Sequence, residues 1–193
     1  PHWTWPGREG EVTPVFVYTN YPTAELFING KSYGKQSKNN SSLKSRYRLM
    51  WMDAVYEPGE VKVVAYNKDG KAVAEKTVRT AGKPHHIELV SNRNELTADG
   101  KDLAYVTVKV VDKDGNLCPT DSRLIHFSVK GAGKFRAVAN GDPTNLEQFH
   151  LPKMHAFHGM LTAIVQAGEI AGDLVLTAKA SGVKTGTVHL QAK

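Results

Sequence analysis

The stretch VKVVAYNKDGKAVAEKTV, Val61 to Val78, decides the fold class. Val61, Val63 and Ala65 alternate with polar or small neighbours, as a half-buried strand requires. Asp69-Gly70 then supplies a turn that tolerates positive φ, and Val73 to Val78 returns. The same grammar recurs along the chain. Asn29-Gly30, Asp99-Gly100 and Asp114-Gly115 are further Asx-Gly turns. In Ala24 to Asn29, Leu26 and Ile28 share a face, and in Tyr47 to Met52 so do Tyr47, Leu49 and Trp51. Further on, Val106, Val108 and Val110 form one inward set and Ile125, Phe127 and Val129 the next. Leu161, Ala163 and Val165 come after them, then Leu174, Leu176 and Ala178, and last Val188 and Leu190. No stretch holds a helical period over ten residues. Short strands with turns at about 8 to 12 residue spacing predict an all-β chain of β-sandwiches.

The alternation breaks once, around Ala81-Gly82-Lys83-Pro84. Such punctuation marks a short, stiff connection between two units. The expected architecture is two tandem immunoglobulin-like β-sandwiches, residues 1–82 and 83–193.

Composition excludes several classes. Hydrophobic residues make up 40% of the chain and charged residues 23%, which is ordinary for a folded domain rather than a disordered one. No apolar run approaches the roughly 18 residues needed to span a bilayer. The net charge of +6 raises the question of nucleic acid. Its distribution argues against that partner, because the 25 basic residues are spread over both halves without a dense run. The densest cluster, Lys35, Lys38, Lys44, Arg46 and Arg48, is interleaved with Asn and Ser and reads as a solvated loop and strand edge. Cys118 is the single cysteine, so no internal disulfide and no Cys-based zinc site can form.

Two segments escape the strand pattern. The opening Pro1-His2-Trp3-Thr4-Trp5-Pro6-Gly7 carries two of the three tryptophans. It reads as a connector that docks onto the strands after it. The chain also begins without Met, which predicts a fragment of a longer protein. Flat aromatics pack on sugar rings, so Trp3, Trp5, Tyr18, Tyr21 and Tyr33 are candidates for a carbohydrate platform. Trp51, in phase with Leu49, reads as core. His2, Trp3 and Trp5 are thus the candidates for carbohydrate contact or for docking on another domain. The second segment, Asn140 to Gly159, opens on the turn Asn140-Gly141-Asp142-Pro143-Thr144 and holds Phe149, His150, His155, Phe157 and His158. The histidine spacing has no helix to align it for a metal. Phe149 and Phe157 read as plugs for the end of the sandwich, with the histidines at the surface. A loop of this length is often a docking element. Asn140, Asp142, Phe149, Phe157 and His158 are therefore the interdomain candidates.

No phosphate-cradling Gly-rich loop and no nucleophile elbow appears. Glu9, Glu11, Glu57 and Glu60 fall in turns or at strand starts and read as solubilising charges, so no catalytic residue, metal or cofactor is assigned.

These residues also carry a resemblance. His2-Trp3-Thr4-Trp5-Pro6-Gly7-Arg8-Glu9-Gly10, then Val15 to Asn20 and Glu25 to Ser32, resemble the start of the C-terminal region of bacterial family 2 glycoside hydrolases. These are the β-galactosidase-like enzymes, especially those of Bacteroides-type gut bacteria. Thr4 stands where the family usually has Asn. Val138 to Thr144, Ala156-Phe157-His158-Gly159 and Ala163 to Gln166 resemble the family's last immunoglobulin-like domain, with His158 where Asn is frequent. The resemblance implies that the acid/base and nucleophile glutamates lie on a catalytic (β/α)8 barrel upstream of Pro1. It implies a retaining parent enzyme acting on β-galactosides, in the periplasm or secreted. This chain would then be an inactive accessory region that braces the barrel and meets carbohydrate through the parent enzyme. Pro1 to Gly7 would mark the junction with the barrel. An independent carbohydrate-binding module and a cell-surface adhesion module are the alternatives.

Overall fold

The computed structural model describes residues 2–193; Pro1, the first residue of the opening stretch and of the expected 1–82 unit, lies outside the described residues. The described chain is all-β, and none of its segments is a helix long and apolar enough to cross a membrane. It divides into two units, Pro1–Thr80 and Ala81–Lys193.

The first unit contains β1 (Val15–Val17), β2 (Thr23–Ile28), β3 (Lys31–Ser37), β4 (Leu49–Trp51), β5 (Glu60–Tyr66) and β6 (Ala72–Arg79). A four-stranded antiparallel sheet runs in the order β3-β2-β5-β6, and β1 and β4 pair as a separate two-stranded sheet. Register fixes the inner face. Ala24, Leu26 and Ile28 on β2 stand opposite Ala65, Val63 and Val61 on β5. Those in turn stand opposite Ala74, Lys76 and Val78 on β6. Directly opposed residues share a face, so all nine point the same way. Leu49 and Trp51 on β4 close over the β2 side, and both are buried.

The Asn29-Gly30 turn joins β2 to β3 with φ of 49° and 79° at its two residues. That is the double left-handed geometry of a type I′ hairpin. The Asp-Gly pairs behave differently, since only their glycines take positive φ. Two of them sit in longer turns begun by an Asx side chain. Asn67 Oδ1 accepts from the N–H of Asp69 and of Lys71, at 3.0 and 2.9 Å. Asp112 does the same for Asp114 and Asn116, both at 2.9 Å.

The second unit is a two-layer sandwich. Its strands are β7 (His86–Ser91), β8 (Glu95–Leu96), β9 (Leu103–Val111), β10 (Leu124–Gly131), β11 (Gly133–Ala139), β12 (Lys153–His155), β13 (Met160–Ala167), β14 (Gly172–Lys179) and β15 (Gly186–Ala192). One sheet runs β12-β10-β14-β15-β8 and the other β11-β13-β9-β7. The predicted inward sets fill the space between them: Val106, Val108, Val110, Ala163, Val165, Leu174, Leu176 and Ala178 are all fully buried. Fully burying a Val or Leu side chain contributes roughly 1.5–3 kcal/mol.

Several expectations are corrected. Tyr47 does not continue the face of Leu49 and Trp51, because β4 starts only at Leu49 and Tyr47 is exposed. The plug of the second sandwich is not Phe149, which is exposed, but Met154 and Ala156, which are buried on and beside β12. Phe157 is half-buried in the tight turn that leads into β13. β3 and β11 carry weak alternation and escape a pattern search. β3 is an edge strand with almost every side chain exposed, and β11 is interrupted by a register shift between Phe135 and Ala137.

Asp112 is a buried charge of the second unit. Its Oδ2 accepts from the Gly82 N–H at 2.7 Å, and Asn116 Nδ2 donates to both carboxylate oxygens. Burial alone pushes a carboxyl up, but the donors of Gly82, Asn116 and Asp114 outweigh it and hold the pKa down at about 2. Cys118 lies close by, and burial, with Asp112 and Asp121, pushes its thiol up to about 11. It is an inert core residue rather than a nucleophile.

The depressed folded-state pKa means that Asp112 stabilises the unit above its ordinary pKa. That contribution, about 2 kcal/mol, is lost as pH falls from about 4 towards 2. Hydrogen exchange of the β9 amides should show D112A less protected than the parent at pH 6, with the gap narrowing below pH 4. A gap that stays constant across that range contradicts the assignment.

Candidate functional site

The opening stretch is built into the first unit. Trp3 is only 4% exposed, and its ring meets Tyr56 edge-on at 5.2 Å. Its indole Nε1 donates to the Glu57 carbonyl at 2.9 Å, and its own carbonyl accepts from the Thr80 hydroxyl. Tyr56 holds the segment from the other side. Its hydroxyl accepts from the Trp5 N–H at 3.1 Å, while its backbone pairs with Gly10 and Glu11. Trp3 is thus docked on the strands that follow it as part of the first unit's core, at the edge of a groove that it lines with His2 and Trp5. His2 and Trp5 differ. Both are half-buried, with ring centroids 4.3 Å apart, and both line the groove.

That groove has a volume of about 650 Å³. Val15 and Val17 of β1 form one wall, and Val61, Val63 and Val78 form the floor on β5 and β6. It exists because two strands cannot cover four. β1 and β4 are three residues each, and among the described residues no strand of the unit lies over the inner side of β6. Ala74 and Lys76 point inward yet remain exposed. The lining is mostly apolar, with His2, Thr13, Thr19, Glu75 and Lys76 among its polar members, so the groove suits an apolar occupant better than a polyhydroxylated one.

Of the aromatic platform candidates, Trp3, Trp5 and Tyr18 line the groove. Trp51 is core, with its Nε1 donating to the Gly34 carbonyl at 3.0 Å. Tyr21 and Tyr33 pack on the core cluster, and only Tyr18 stays open beside Trp5 at the groove.

The second candidate segment is a self-tied loop. Asn140 Oδ1 accepts from the Asp142 N–H at 3.0 Å, and its amide donates to the His155 carbonyl at 3.0 Å. Asp142 accepts from the Thr144 N–H and hydroxyl at 2.8 and 2.7 Å. Those bonds hold its carboxyl below the ordinary range. Glu147 caps β12, accepting from the His155 N–H at 3.1 Å and standing 3.1 Å from its Nδ1. His158 adopts φ 51° beside the Pro119 carbonyl. That left-handed position suits the Asn expected there better than His. The histidines are thus held apart, and the described residues contain no group of three metal-ligating side chains. Leu146 and Phe149 stand out into solvent from this loop.

Residues 87–189 match the family described as Glycoside hydrolase family 2 C-terminal domain 5. The chain belongs to this family. Residues 10–74 match a second description, Domain of unknown function (DUF4982). The family 2 assignment extends over the whole chain in full-length comparisons. It is 41% identical to the β-galactosidase BoGH2A of Bacteroides ovatus over 100% of its own length, which is 22% of that protein. It is 30% identical to a β-galactosidase of Thermoanaerobacter pseudethanolicus, covering 86% of this chain and 22% of that one. A solved β-glycosidase from Bacteroides vulgatus superposes with a TM-score of 0.91 at 31% identity, over all of this chain and 24% of that one. The chain therefore corresponds to under a quarter of these family 2 relatives.

The groove residues of β6 were hidden from the sequence. Ala74 and Lys76 read as ordinary strand positions, and no residue pattern shows that they stay uncovered. Replacing the two tryptophans separates structure from site. W3A should lower the stability of the first unit by about 3–5 kcal/mol in urea unfolding, and W5A by far less. Equal losses would return Trp3 and Trp5 to one shared role.

Proposed function

We propose that this chain is the non-catalytic C-terminal accessory region of a β-galactosidase-type glycosidase and that it braces the catalytic domain of the same polypeptide. The observation that carries the reading is similarity along the whole of this chain to a β-galactosidase of which it covers only 22%.

Bracing draws support from what the chain exposes. The groove beside His2 and Trp5 and the loop tip with Leu146 and Phe149 are apolar surfaces of the sort that mark protein contacts. Asn140, Asp142, Phe157 and His158 then hold that loop in shape rather than bind sugar.

Hydrolysis of nitrophenyl β-galactoside tests the reading. The chain alone should give no turnover, and the complete polypeptide should give turnover. Deleting the chain should lower the unfolding temperature of the remaining catalytic domain by several degrees. Turnover by the chain alone, abolished by one Glu→Gln change within it, contradicts the proposal. Calorimetric binding of galactose by the chain alone, lost in W5A, would make it a carbohydrate-binding module instead.

A further inference from the structure

We infer that the groove of the first unit is a receptor for one extended strand of the same polypeptide, drawn from the region that precedes Pro1. The inference rests on the accessory reading above and adds how the attachment is made.

Three observations define the occupant. First, β1 has a partner on one edge only. Its residues pair with β4 as Val15 to Trp51, Phe16 to Met50 and Val17 to Leu49, and among the described residues no strand pairs with the opposite edge. In an antiparallel pair alternate residues turn both N–H and C=O away from the partner, so that edge presents unpaired donors and acceptors. An added strand satisfies them in register along the edge, whereas a helix, whose backbone groups are already paired, does not.

Second, the floor is a sheet face. Val61, Val63 and Val78 present apolar side chains, and Ala74 and Lys76 continue the face uncovered. A strand added beside β1 would lie over this floor and widen the covering sheet to three strands. Every second side chain of the incoming segment would face down, so the segment must alternate apolar and polar residues.

Third, the source can be argued. The chain spans 22% of the β-galactosidase that it matches along its whole length, so relatives carry much additional polypeptide. His2, the first described residue, already stands on the groove wall, so a segment just upstream is within reach. A second copy of this chain is the less suitable occupant. Lys76 of the edge strand β6 stands on the same face as Val63, and a charge on the inner face of an edge strand disfavours pairing with copies of itself.

Amide hydrogen exchange tests the inference on the chain alone and on the complete polypeptide. The β1 amides should exchange on the order of tenfold or more slowly in the complete polypeptide. A74R should abolish that protection. Ala74 is exposed, so A74R should leave the unfolding midpoint of the chain alone unchanged, and A74D serves if the arginine variant fails to fold. Equal β1 exchange in both proteins overturns the inference. If deletion of the chain still destabilises the catalytic domain in that case, bracing stands and acts through another surface. Protection that appears in the chain alone with increasing concentration, together with dimer formation, also overturns it in favour of a second copy.

Discussion

A two-stranded sheet cannot cover a four-stranded one, and the first unit is organised around that mismatch. β4 lies over the β2 side through Leu49 and Trp51. Trp3 fills the end of the same core, wedged against Tyr56 and tied to Glu57 and Thr80. What remains is the β5–β6 side, apolar and open. The opening stretch thus does two jobs a few residues apart. Trp3 completes the core, while His2 and Trp5 border the part that the core leaves uncovered.

The second unit has no such deficit. Its five- and four-stranded sheets match in width, and their inward residues are buried almost without exception. Its buried charge, Asp112, is fully supplied with donors from its own turn and from Gly82. The chain thus joins a sandwich whose two sheets cover each other to a unit whose β5–β6 face stays open.

Much of this was legible in the sequence. Period-two alternation located the strands of the second unit, because both of its sheets bury one face. Asx-Gly pairs located the turns, though not their type: only Asn29 joins its glycine at positive φ, whereas Gly70 and Gly115 sit in loops tied by a preceding Asx side chain. The loop from Asn140 to Gly159 was located, but its buried anchor was misread. Met154 lies on a three-residue strand too short to alternate, whereas Phe149 looks like core and is not. The groove was invisible, because alternation reports which residues share a face and not whether anything covers it. Ala74 and Val78 look alike in sequence, yet Ala74 is exposed and Val78 half-buried.

The central claim is that this family 2 region is an accessory one whose open sheet face is closed by the rest of its polypeptide. A structure of the complete polypeptide tests it most directly. The account predicts a strand from the region before Pro1 hydrogen-bonded along β1, with Ala74 and Lys76 removed from solvent. A complete polypeptide in which the groove beside Trp5 stays open to water would contradict it.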